Sequence, residues 1–459
     1  MKYKQLANDL EHLISSRVVN ADQRLPSIRS ISRSRGLSIS TVTRAFHELE
    51  RRRLVEARPR SGYFACAPPG HGKDEAQSLS GFEDIMPRIL AEPGSSKLLR
   101  LGIAQLEPDL VPRRELNRIA RQMMRTSGSE VFEYAPSEGC VALRRRICEW
   151  MFQWGATLSA RDIVITSGCQ EALSIAVQCL ADQGDTVAAA LPTYPGLLKI
   201  LQSMGMKVLD VPSSPSHGLD LDRLEAGIKR GSLAAVYVMA NGANPNGMTL
   251  PDDNKRALIE LAAKYDLAII EDDTNHCLNV DHEHLSSIKS FDDRGLVIYC
   301  SSFSKTVSPA LRVGWMAPGR VIEKALELKY ALNLASPTLP QHTLERFISE
   351  GGYRRHLDRV NAVLPGTVRH LADSISRAFP GARFEMPHGG MFIWLQLNPG
   401  SDVHHLRQQA IEHGVSFAPG YCFSPGGHDN CLRLGWGGRW NERVESAVSL
   451  LGSLRSQLG

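Results

Sequence analysis

Five short apolar runs, each five to seven residues long, constrain most strongly what this chain can fold into. They are separated by amphipathic helical patterns and lie at 162–166, 186–191, 234–240, 267–271 and 296–300. Such runs, alternating with helices, are typical of a parallel sheet that helices cover on both faces. We therefore predict an α/β fold. In open α/β sheets the ligand lies beyond the carboxyl ends of the strands, so the residues after each run are the candidates for a site.

The formal charge of the chain is unevenly distributed. Residues 1–66 contain 13 Lys and Arg against 6 Asp and Glu, which gives +7 and leaves −3 on the rest of a chain whose total is +4. A length of 459 residues also exceeds one ordinary domain. We predict a small basic module followed by a larger, slightly acidic one. A basic surface alone is usually a solvated face, so nucleic acid is at this point one partner class among several.

The sequence shows little sign of a membrane-spanning segment, a signal peptide or a metal site. It has no uninterrupted apolar run of about 18 residues, and its first residues are polar where a signal peptide needs an apolar block. The 9 cysteines are odd in number, scattered, and form no CxxC pair. This pattern is typical of reduced thiols rather than of disulfides or a zinc site. We predict a cytoplasmic protein with no metal and no membrane partner.

Residues 1–66 have the pattern of three short helices and a hairpin. The second helix is predicted to begin near Pro26 and the third near Ser38, because proline suits a first turn and serine caps helices. Residues 54–65 alternate and turn like a two-stranded wing. The first and third helices have apolar stripes, made of Tyr3, Leu6, Ala7, Leu10, Leu13 and Ile14 and of Val42, Ala45, Phe46 and Leu49.

Residues 67–97 differ in composition from both modules. They combine prolines and glycines with mixed charge, which predicts a linker that holds at most a short helix. The large domain is then predicted over 98–459.

The first two apolar runs are followed by candidates for binding a planar, phosphorylated ligand. Tyr194 comes after the second run and can stack on a flat ring or simply pack in the core. The residues after the first run expose backbone N–H groups that can hold a phosphate, although many helices begin with Ser-Gly without a ligand. These residues are Ser167, Gly168, Cys169 and Gln170.

The last two runs are followed by charged residues. Asp272 can pair with a protonated ring nitrogen at the base of a pocket, but surface acids or a helix cap explain the same pattern. Lys305 is surrounded in sequence by Ser302, Ser304 and Arg312. A lysine beside hydroxyls and a guanidinium can form a Schiff base next to a bound phosphate. A lone lysine, however, is normally a solvated surface residue.

The joint order of these residues resembles the fold-type I pyridoxal-phosphate enzymes, the aspartate aminotransferase superfamily, over 98–459. The stretch SSFSKTVSPALRVGW at 301–315 is similar to that family's cofactor-lysine motif, and PHGGMFIW at 387–394 to the strand that opens its small domain. The resemblance implies an aminotransferase-like domain with a mostly parallel central sheet and a smaller C-terminal α/β subdomain at approximately 345–459. It also implies pyridoxal 5'-phosphate as the cofactor.

The resemblance gives each candidate residue a role. Lys305 would bind the cofactor covalently, Asp272 would keep its pyridine nitrogen protonated, and Asn244 would bond its phenolic oxygen. Tyr194 would stack on the ring, and Arg433 would bind a substrate carboxylate. The phosphate would be held by Ser302, Ser304, Arg312 and the turn of Ser167, Gly168, Cys169 and Gln170.

Two further positions bear on assembly and activity. Tyr134, in FEYAPSEG, resembles a tyrosine that reaches the phosphate of the partner subunit, which implies a homodimer. Thr274 stands where the family usually has a tyrosine that bonds the phenolic oxygen. This shorter side chain weighs against full transaminase turnover, but not against cofactor binding.

Residues 24–64 resemble the GntR-type winged helix-turn-helix along their whole length. The similarity includes LPSIR, the turn before the third helix and the wing sequence RPRSGYF. It implies double-stranded DNA as a partner, with the third helix in a major groove. A generic three-helix cap without DNA contact is the alternative. The resemblance assigns DNA contacts or wing geometry to Arg29, Ser40, Thr41, Thr43, Arg44, Arg60 and Gly62.

A GntR-type domain joined to an aminotransferase-like domain resembles the MocR-type regulators. That resemblance implies a dimeric transcription factor whose large domain senses pyridoxal phosphate, an amino acid or amine effector, or both. The alternative is a functional aminotransferase whose N-terminal module is incidental. Arg433 and the complete lysine motif favour the enzyme, whereas Thr274 and the complete DNA-binding motif favour the regulator.

Overall fold

The computed structural model describes residues 3, 6, 7, 10, 25–51, 55–58, 62–65, 76–83, 85–92, 98–126, 128–231, 233–279 and 285–458. Contacts divide the chain into two units, residues 1–72 and 73–459. Each unit has an apolar core of its own, so each is described separately.

The second predicted helix of the small unit is present, and single residues set its ends. Helix α1 (Ile28–Arg35) begins after Ser27, whose hydroxyl accepts a hydrogen bond from the N–H of Ser30 (3.2 Å). It ends at Gly36, whose φ of 62° is a left-handed conformation that glycine adopts without strain.

The third predicted helix and the wing follow directly. Ser38 accepts a hydrogen bond from the N–H of Thr41 (3.2 Å) at the start of α2 (Ile39–Arg51). Strands β1 (Val55–Arg58) and β2 (Gly62–Ala65) then pair antiparallel. Both predictions are confirmed.

The predicted apolar stripes form the core of this unit. The stripe of α2 is completely buried, and Phe46 stacks on Tyr63 of the wing with ring centroids 4.5 Å apart. The N–H of Leu25 also bonds the carbonyl of Tyr63 (2.9 Å), which ties the wing to the start of the helical region. In the first stripe Leu6, Ala7 and Leu10 are buried, while Leu13 and Ile14 lie outside the described residues.

All five apolar runs form strands of one eight-stranded sheet in the large unit, as predicted. The order across the sheet is β3 (Gln77–Ser78), β7 (Lys207–Asp210), β6 (Thr186–Ala189), β10 (Leu233–Val238), β11 (Ala268–Asp272), β12 (Val297–Ser302), β13 (Gly314–Ala317) and β5 (Val164–Thr166). The five strands from β7 to β12 in this order are mutually parallel, whereas β3 and β13 run antiparallel to their neighbours. Strands β7 and β13 were not predicted, because β7 has only two consecutive apolar residues, Val208 and Leu209, and β13 lies inside the lysine motif.

Helices cover both faces of this sheet. Successive residues of a strand point to opposite faces, and Ile269 and Ile270 of β11 are both fully buried. One face packs on α6 (Cys169–Leu180), α7 (Pro195–Ser203) and α10 (Ile322–Asn333). The other face packs on α5 (Val141–Gln153), α8 (Leu221–Lys229), α9 (Asp252–Tyr265) and α11 (Thr338–Ser349), with α4 (Arg113–Thr126) lying outside α11.

A second, antiparallel sheet forms the C-terminal part of the unit, in agreement with the predicted small subdomain. Its order is β14 (Arg383–Phe384), β15 (Phe392–Gln396), β18 (Cys431–Gly435) and β17 (Ala418–Pro419). Apolar side chains of this sheet pack on α13 (Leu364–Ala378), α14 (Val403–Glu412) and α15 (Glu442–Gln457). Helix α12 (Gly352–Asn361) leads into α13, and two short pairs join β4 (Leu99–Arg100) to β16 (Val415–Ser416) and β8 (Ser213–Ser214) to β9 (Gly218–Leu219).

Part of the range predicted as a linker packs on the large unit. Strand β3 extends the edge of the main sheet, and helix α3 (Met86–Ala91) follows it. Leu79 and Ile89 are buried in separate apolar clusters of that unit. The composition of residues 67–97 did not reveal this packing, because the buried residues are few and lie between polar ones. Among the helices that the structure describes, none is long and apolar enough to cross a membrane.

Candidate functional site

Lys305 follows the carboxyl end of β12, where the sheet pattern predicts a site. Its amine donates a hydrogen bond to the backbone carbonyl of Ala104 (2.6 Å). Burial, together with the nearby charge of Arg433, lowers the pKa of Lys305 to about 8. A larger fraction of this amine is therefore neutral, and nucleophilic, near physiological pH than of an ordinary lysine.

Asp272 ends the adjacent strand β11 and is only 2% exposed. One carboxylate oxygen accepts from the hydroxyl of Tyr237 (2.9 Å), and the other from the N–H of Thr274 (3.2 Å) and the thiol of Cys169 (3.6 Å). Burial raises the pKa of Asp272, and the hydrogen bonds from Thr274 and Tyr237 oppose that rise because they favour the charged form. The carboxylate is thus held in one orientation at the base of the site.

Thr274 and Tyr237 both bond Asp272, and the sequence pattern predicted neither contact. The hydroxyl of Thr274 donates to Asp272, so Thr274 supports the acid. Tyr237 was not among the predicted site residues, because an aromatic residue inside an apolar strand usually signals packing. Its role becomes visible only when β10 and β11 are seen to be neighbours.

The predicted phosphate-binding turn and Arg312 lie together. Gly168, at φ 90°, precedes α6, whose N-terminus has no side-chain cap. A nitrogen of Arg312 donates to the carbonyl of Ser167 (2.6 Å), and a Cβ at Gly168 would lie 2.5 Å from that guanidinium. The φ of this residue therefore favours glycine, and a side chain here would also displace the guanidinium of Arg312. Uncapped helix N–H groups beside a guanidinium form a favourable site for an anion.

The remaining predicted cofactor residues line the same strand ends. Tyr194 donates from its hydroxyl to the side chain of Gln170 (2.9 Å), which in turn donates to the carbonyl of Gly196 (2.9 Å). The N–H of Ser304 donates to the hydroxyl of Ser302 (3.3 Å). Tyr194 and Gln170 thus support each other at the start of two neighbouring helices.

Arg433 comes from the second sheet and is 3% exposed. Its two terminal nitrogens donate to the side-chain oxygen of Asn244 (2.6 Å) and to the carbonyl of Gly102 (2.7 Å), while its Nε has no hydrogen-bond partner. The guanidinium lies 5.2 Å from the ring of Phe392 and 5.0 Å from that of Phe423. Burial lowers the pKa of Arg433 to about 10. Among the described residues, no carboxylate pairs with this buried cation.

Tyr134 is the one predicted cofactor residue that the single chain does not bring to the site. Its side chain is 85% exposed. Nearby, the hydroxyl of Ser137 donates to the carbonyl of Leu334 (2.9 Å), so the loop that carries Tyr134 is anchored next to the end of α10.

The site matches the functional groups of pyridoxal phosphate one by one. An uncapped helix N-terminus and Arg312 suit the phosphate, and the buried Asp272 suits a pyridinium nitrogen. Tyr194 supplies an aromatic face, and Lys305 supplies a partly neutral amine. Among the described residues, no group of three or more His, Cys, Asp or Glu side chains lies close enough together to bind a metal ion.

The pKa of Lys305 predicts a pH dependence for cofactor capture. Only the neutral amine attacks a carbonyl, so we expect the rate of covalent pyridoxal-phosphate uptake by the cofactor-free protein to rise with pH and level off above about 8. The measurement is stopped-flow absorbance between pH 6 and 10.5, with free N-acetyl-lysine as the control, whose rate rises to about pH 10.4. A protein rate that follows the control curve would contradict the lowered pKa.

The predicted DNA-binding residues that the structure describes lie on helix α1, on helix α2 and at the start of strand β2. Arg29, Ser40 and Arg44 are exposed, and Arg44 lies over the ring of Tyr3 at 4.6 Å from its centroid. The hydroxyl of Thr43 donates to the carbonyl of Ile39 (2.9 Å).

Thr41, a predicted DNA contact, and Gly62, predicted to shape the wing, are also described. The hydroxyls of Thr41 and Ser38 lie 2.7 Å apart. Gly62 begins β2 at φ 105°, a conformation that glycine adopts readily. Arg60 lies outside the described residues.

Comparisons with known proteins match both units. Residues 97–451 match the family described as aminotransferase class I and II, and residues 2–64 match the bacterial regulatory proteins of the gntR family. The chain is 32% identical to YjiR, an HTH-type transcriptional regulator of Escherichia coli K12, over 98% of each chain. It is 30% identical to the 2-aminoadipate transaminase of Thermus thermophilus over 75% of this chain and 87% of that one.

Solved structures agree with the fold of the large unit. The α-aminoadipate aminotransferase LysN of Thermus thermophilus, solved with N-(5'-phosphopyridoxyl)-L-leucine, superposes with a TM-score of 0.76 at 28% identity, over 82% of this chain and 95% of that chain. Pyridoxal phosphate is the cofactor on which this fold family depends. The chain therefore belongs to the aminotransferase class I and II family and carries, ahead of that domain, a gntR-family DNA-binding domain, which is the architecture of the MocR-type regulators.

Proposed function

We propose that this chain is a transcriptional regulator whose large unit binds pyridoxal phosphate and a carboxylate-bearing amino compound, and thereby changes its affinity for DNA. The observation that carries the proposal is Arg433, a buried guanidinium with a free Nε in the same site as Lys305. Such a group has the fork geometry and the unmet hydrogen bond that suit a carboxylate. A DNA partner also implies a cytoplasmic location.

The proposed roles follow from chemistry and position. The cofactor supplies an electrophilic carbonyl for amines. Lys305 would hold it covalently, Asp272 would pair with its ring nitrogen, and Asn244, which lies beside Arg433, would bond its phenolic oxygen. Tyr194 would stack on the ring. The residues that would hold the phosphate are Ser167, Gly168, Cys169, Gln170, Ser302, Ser304 and Arg312.

We also propose a homodimer in which Tyr134 completes the phosphate site of the partner subunit. The support is its exposure: an aromatic side chain 85% exposed on an anchored loop leaves its ring and hydroxyl available to a second copy.

The proposed coupling between ligand binding and DNA affinity depends on the fact that two different sheets of the large unit supply the ligand-binding groups. Arg433 belongs to the second sheet and Lys305 follows the first. A ligand that binds both groups stabilises one arrangement of the two sheets over others. It can change DNA affinity only if that arrangement binds DNA with a different free energy.

The experiment is a DNA-binding titration of the full-length protein on the DNA upstream of its own gene, at fixed salt, with and without pyridoxal phosphate and amino acids. A specific complex whose affinity changes with the cofactor or an amino acid supports the proposal. Binding that is specific but unaffected by either would remove the sensing role, and the absence of specific binding would remove the regulator.

Substituting Arg44 tests the DNA side of the proposal. Because Arg44 is exposed on the predicted recognition helix α2, we expect Arg44→Ala to weaken specific DNA binding about 10- to 100-fold, equivalent to about 1–3 kcal/mol. Pyridoxal-phosphate uptake should stay unchanged, as should DNA binding by the control Arg369→Ala, an exposed arginine of the large unit. Loss of both DNA and cofactor binding would instead indicate misfolding of the variant.

The complete set of Lys305, Asp272 and Arg433 also favours a second candidate, an aminotransferase. The two functions differ in turnover: an enzyme converts many equivalents of amino acid per site, whereas a sensor needs at most one. Multiple turnovers without specific DNA binding would establish the enzyme in place of the regulator.

A further inference from the structure

Helix α4 carries a row of arginines that the proposed function does not use. Its sequence, RRELNRIARQMMRT, contains five arginines and one glutamate. Arg114, Arg118, Arg121 and Arg125 recur at spacings of four and three residues, so they lie on one face of the helix. All four are exposed and line one surface groove, while the opposite face of the helix packs towards α11. We name these four residues the α4 stripe.

The α4 stripe is largely unneutralised. Arg118 donates to Glu350 (2.5 Å) and to Gln122 (3.5 Å). Among the described residues, no ion pair or hydrogen bond involves the guanidinium groups of Arg114, Arg121 or Arg125. Like charges three or four residues apart destabilise a helix, so this arrangement has a cost that a bound anion would relieve.

We propose that the α4 stripe binds the phosphate backbone of the DNA that the chain recognises. Guanidinium groups bind phosphates bidentately, and a row of them fits an extended polyanion better than a single small ligand. At 1.5 Å per residue the stripe is about 16 Å long, and duplex DNA carries a phosphate every 1.7 Å of its axis. Several phosphates therefore fall within its reach. This inference rests on the proposed function, because it extends the DNA contact from the gntR-type domain to the large unit.

The test compares two triple variants of the full-length protein that lose the same charge. One is Arg114→Gln, Arg121→Gln and Arg125→Gln, which leaves the Arg118–Glu350 pair intact. The control changes three exposed arginines of the C-terminal part, Arg369→Gln, Arg383→Gln and Arg439→Gln. Affinity is measured by fluorescence anisotropy on a specific duplex and on an unrelated duplex of equal length, across a salt series.

We expect the α4 variant to bind both duplexes about 10- to 100-fold more weakly at low salt. The slope of log K against log salt should fall by about 2 to 3, because each lost phosphate contact removes about 0.9 from it. The control should change affinity less than about twofold, and the visible absorbance of the bound cofactor should be the same in both variants.

Three outcomes would overturn this inference. An unchanged salt slope in the α4 variant, with specific binding by the wild type, overturns it and leaves the proposed function standing. A changed sedimentation coefficient with unchanged DNA affinity would assign the stripe to a contact between copies of the chain. A wild type that binds neither duplex would overturn both proposals.

Discussion

Replacing Lys305 by alanine is expected to abolish the visible absorbance band of the lysine-bound cofactor completely. Burial lowers the pKa of Lys305 to about 8 and so keeps its amine partly neutral, and alanine has no nucleophile with which to replace it. Borohydride reduction, which fixes the cofactor to lysine in the wild type, should then leave no phosphopyridoxyl label on the peptide that contains residue 305. The measurements are absorbance spectroscopy and peptide mass spectrometry.

Folding of this variant should be retained. The variant loses the hydrogen bond from Lys305 to Ala104, which destabilises it, but it also avoids the free-energy cost of burying an amine. These two effects oppose each other. We expect the free energy of unfolding to change by no more than about 1–2 kcal/mol. Lys199→Ala, an exposed lysine that bonds Gln202 (2.9 Å), is the control and should keep the band. An unchanged band in Lys305→Ala would refute the assignment of this lysine.

Replacing Arg433 by glutamine is expected to weaken the binding of amino acids to the cofactor-loaded protein by about 100-fold. Glutamine offers a neutral amide where arginine offers a charged fork, and loss of charge-assisted hydrogen bonds to a desolvated carboxylate corresponds to about 3 kcal/mol. The DNA response to amino acids should be lost in parallel. The measurement is the change in cofactor absorbance during amino-acid titration.

The matched control for Arg433→Gln is a ligand that lacks a carboxylate, used in place of a second protein variant. An amine that equals the amino acid without its carboxylate should bind the wild type and Arg433→Gln with similar affinity, because it never uses the guanidinium. Cofactor affinity is measured as well, because Arg433 bonds Asn244, the proposed ligand of the phenolic oxygen, and loss of that hydrogen bond would affect the amine and the amino acid alike. Equal losses for the amine and the amino acid would show that Arg433 supports the site rather than binding a carboxylate.

The architecture of the site was accessible from local sequence to a large extent. Each apolar run has the length of a buried strand, and the polar residues that follow the runs necessarily gather at one edge when the strands are parallel. Asp272 ends β11 and Lys305 follows β12, and these are neighbouring parallel strands. This is the arrangement from which the sequence predicted a common site. The predicted cap at Ser38 was equally local, since Ser38 bonds an N–H three residues away, whereas at α1 the cap is Ser27, so Pro26 precedes the first turn instead of lying in it.

The partners of these residues were not accessible from the sequence. Lys305 bonds a carbonyl 201 positions away, and Arg433 bonds one 331 positions away. Backbone carbonyls carry no side-chain signature, so nothing in the sequence distinguishes Ala104 or Gly102 from other loop residues. The support of Asp272 by Tyr237 was hidden for a related reason, because it depends on which strand lies beside β11.

The sequence by itself thus determined the two-module organisation, five of the eight strands of the main sheet and the identity of the chemical groups. These depend on composition, periodicity and motif spacing within short segments. Only the tertiary structure decided that Arg433 has an unsatisfied Nε, that Thr274 bonds Asp272, and that residues 76–92 include elements packed on the large unit. The physical reason is that burial, hydrogen-bond satisfaction and pKa are properties of a three-dimensional environment, which distant segments create only when the chain is folded.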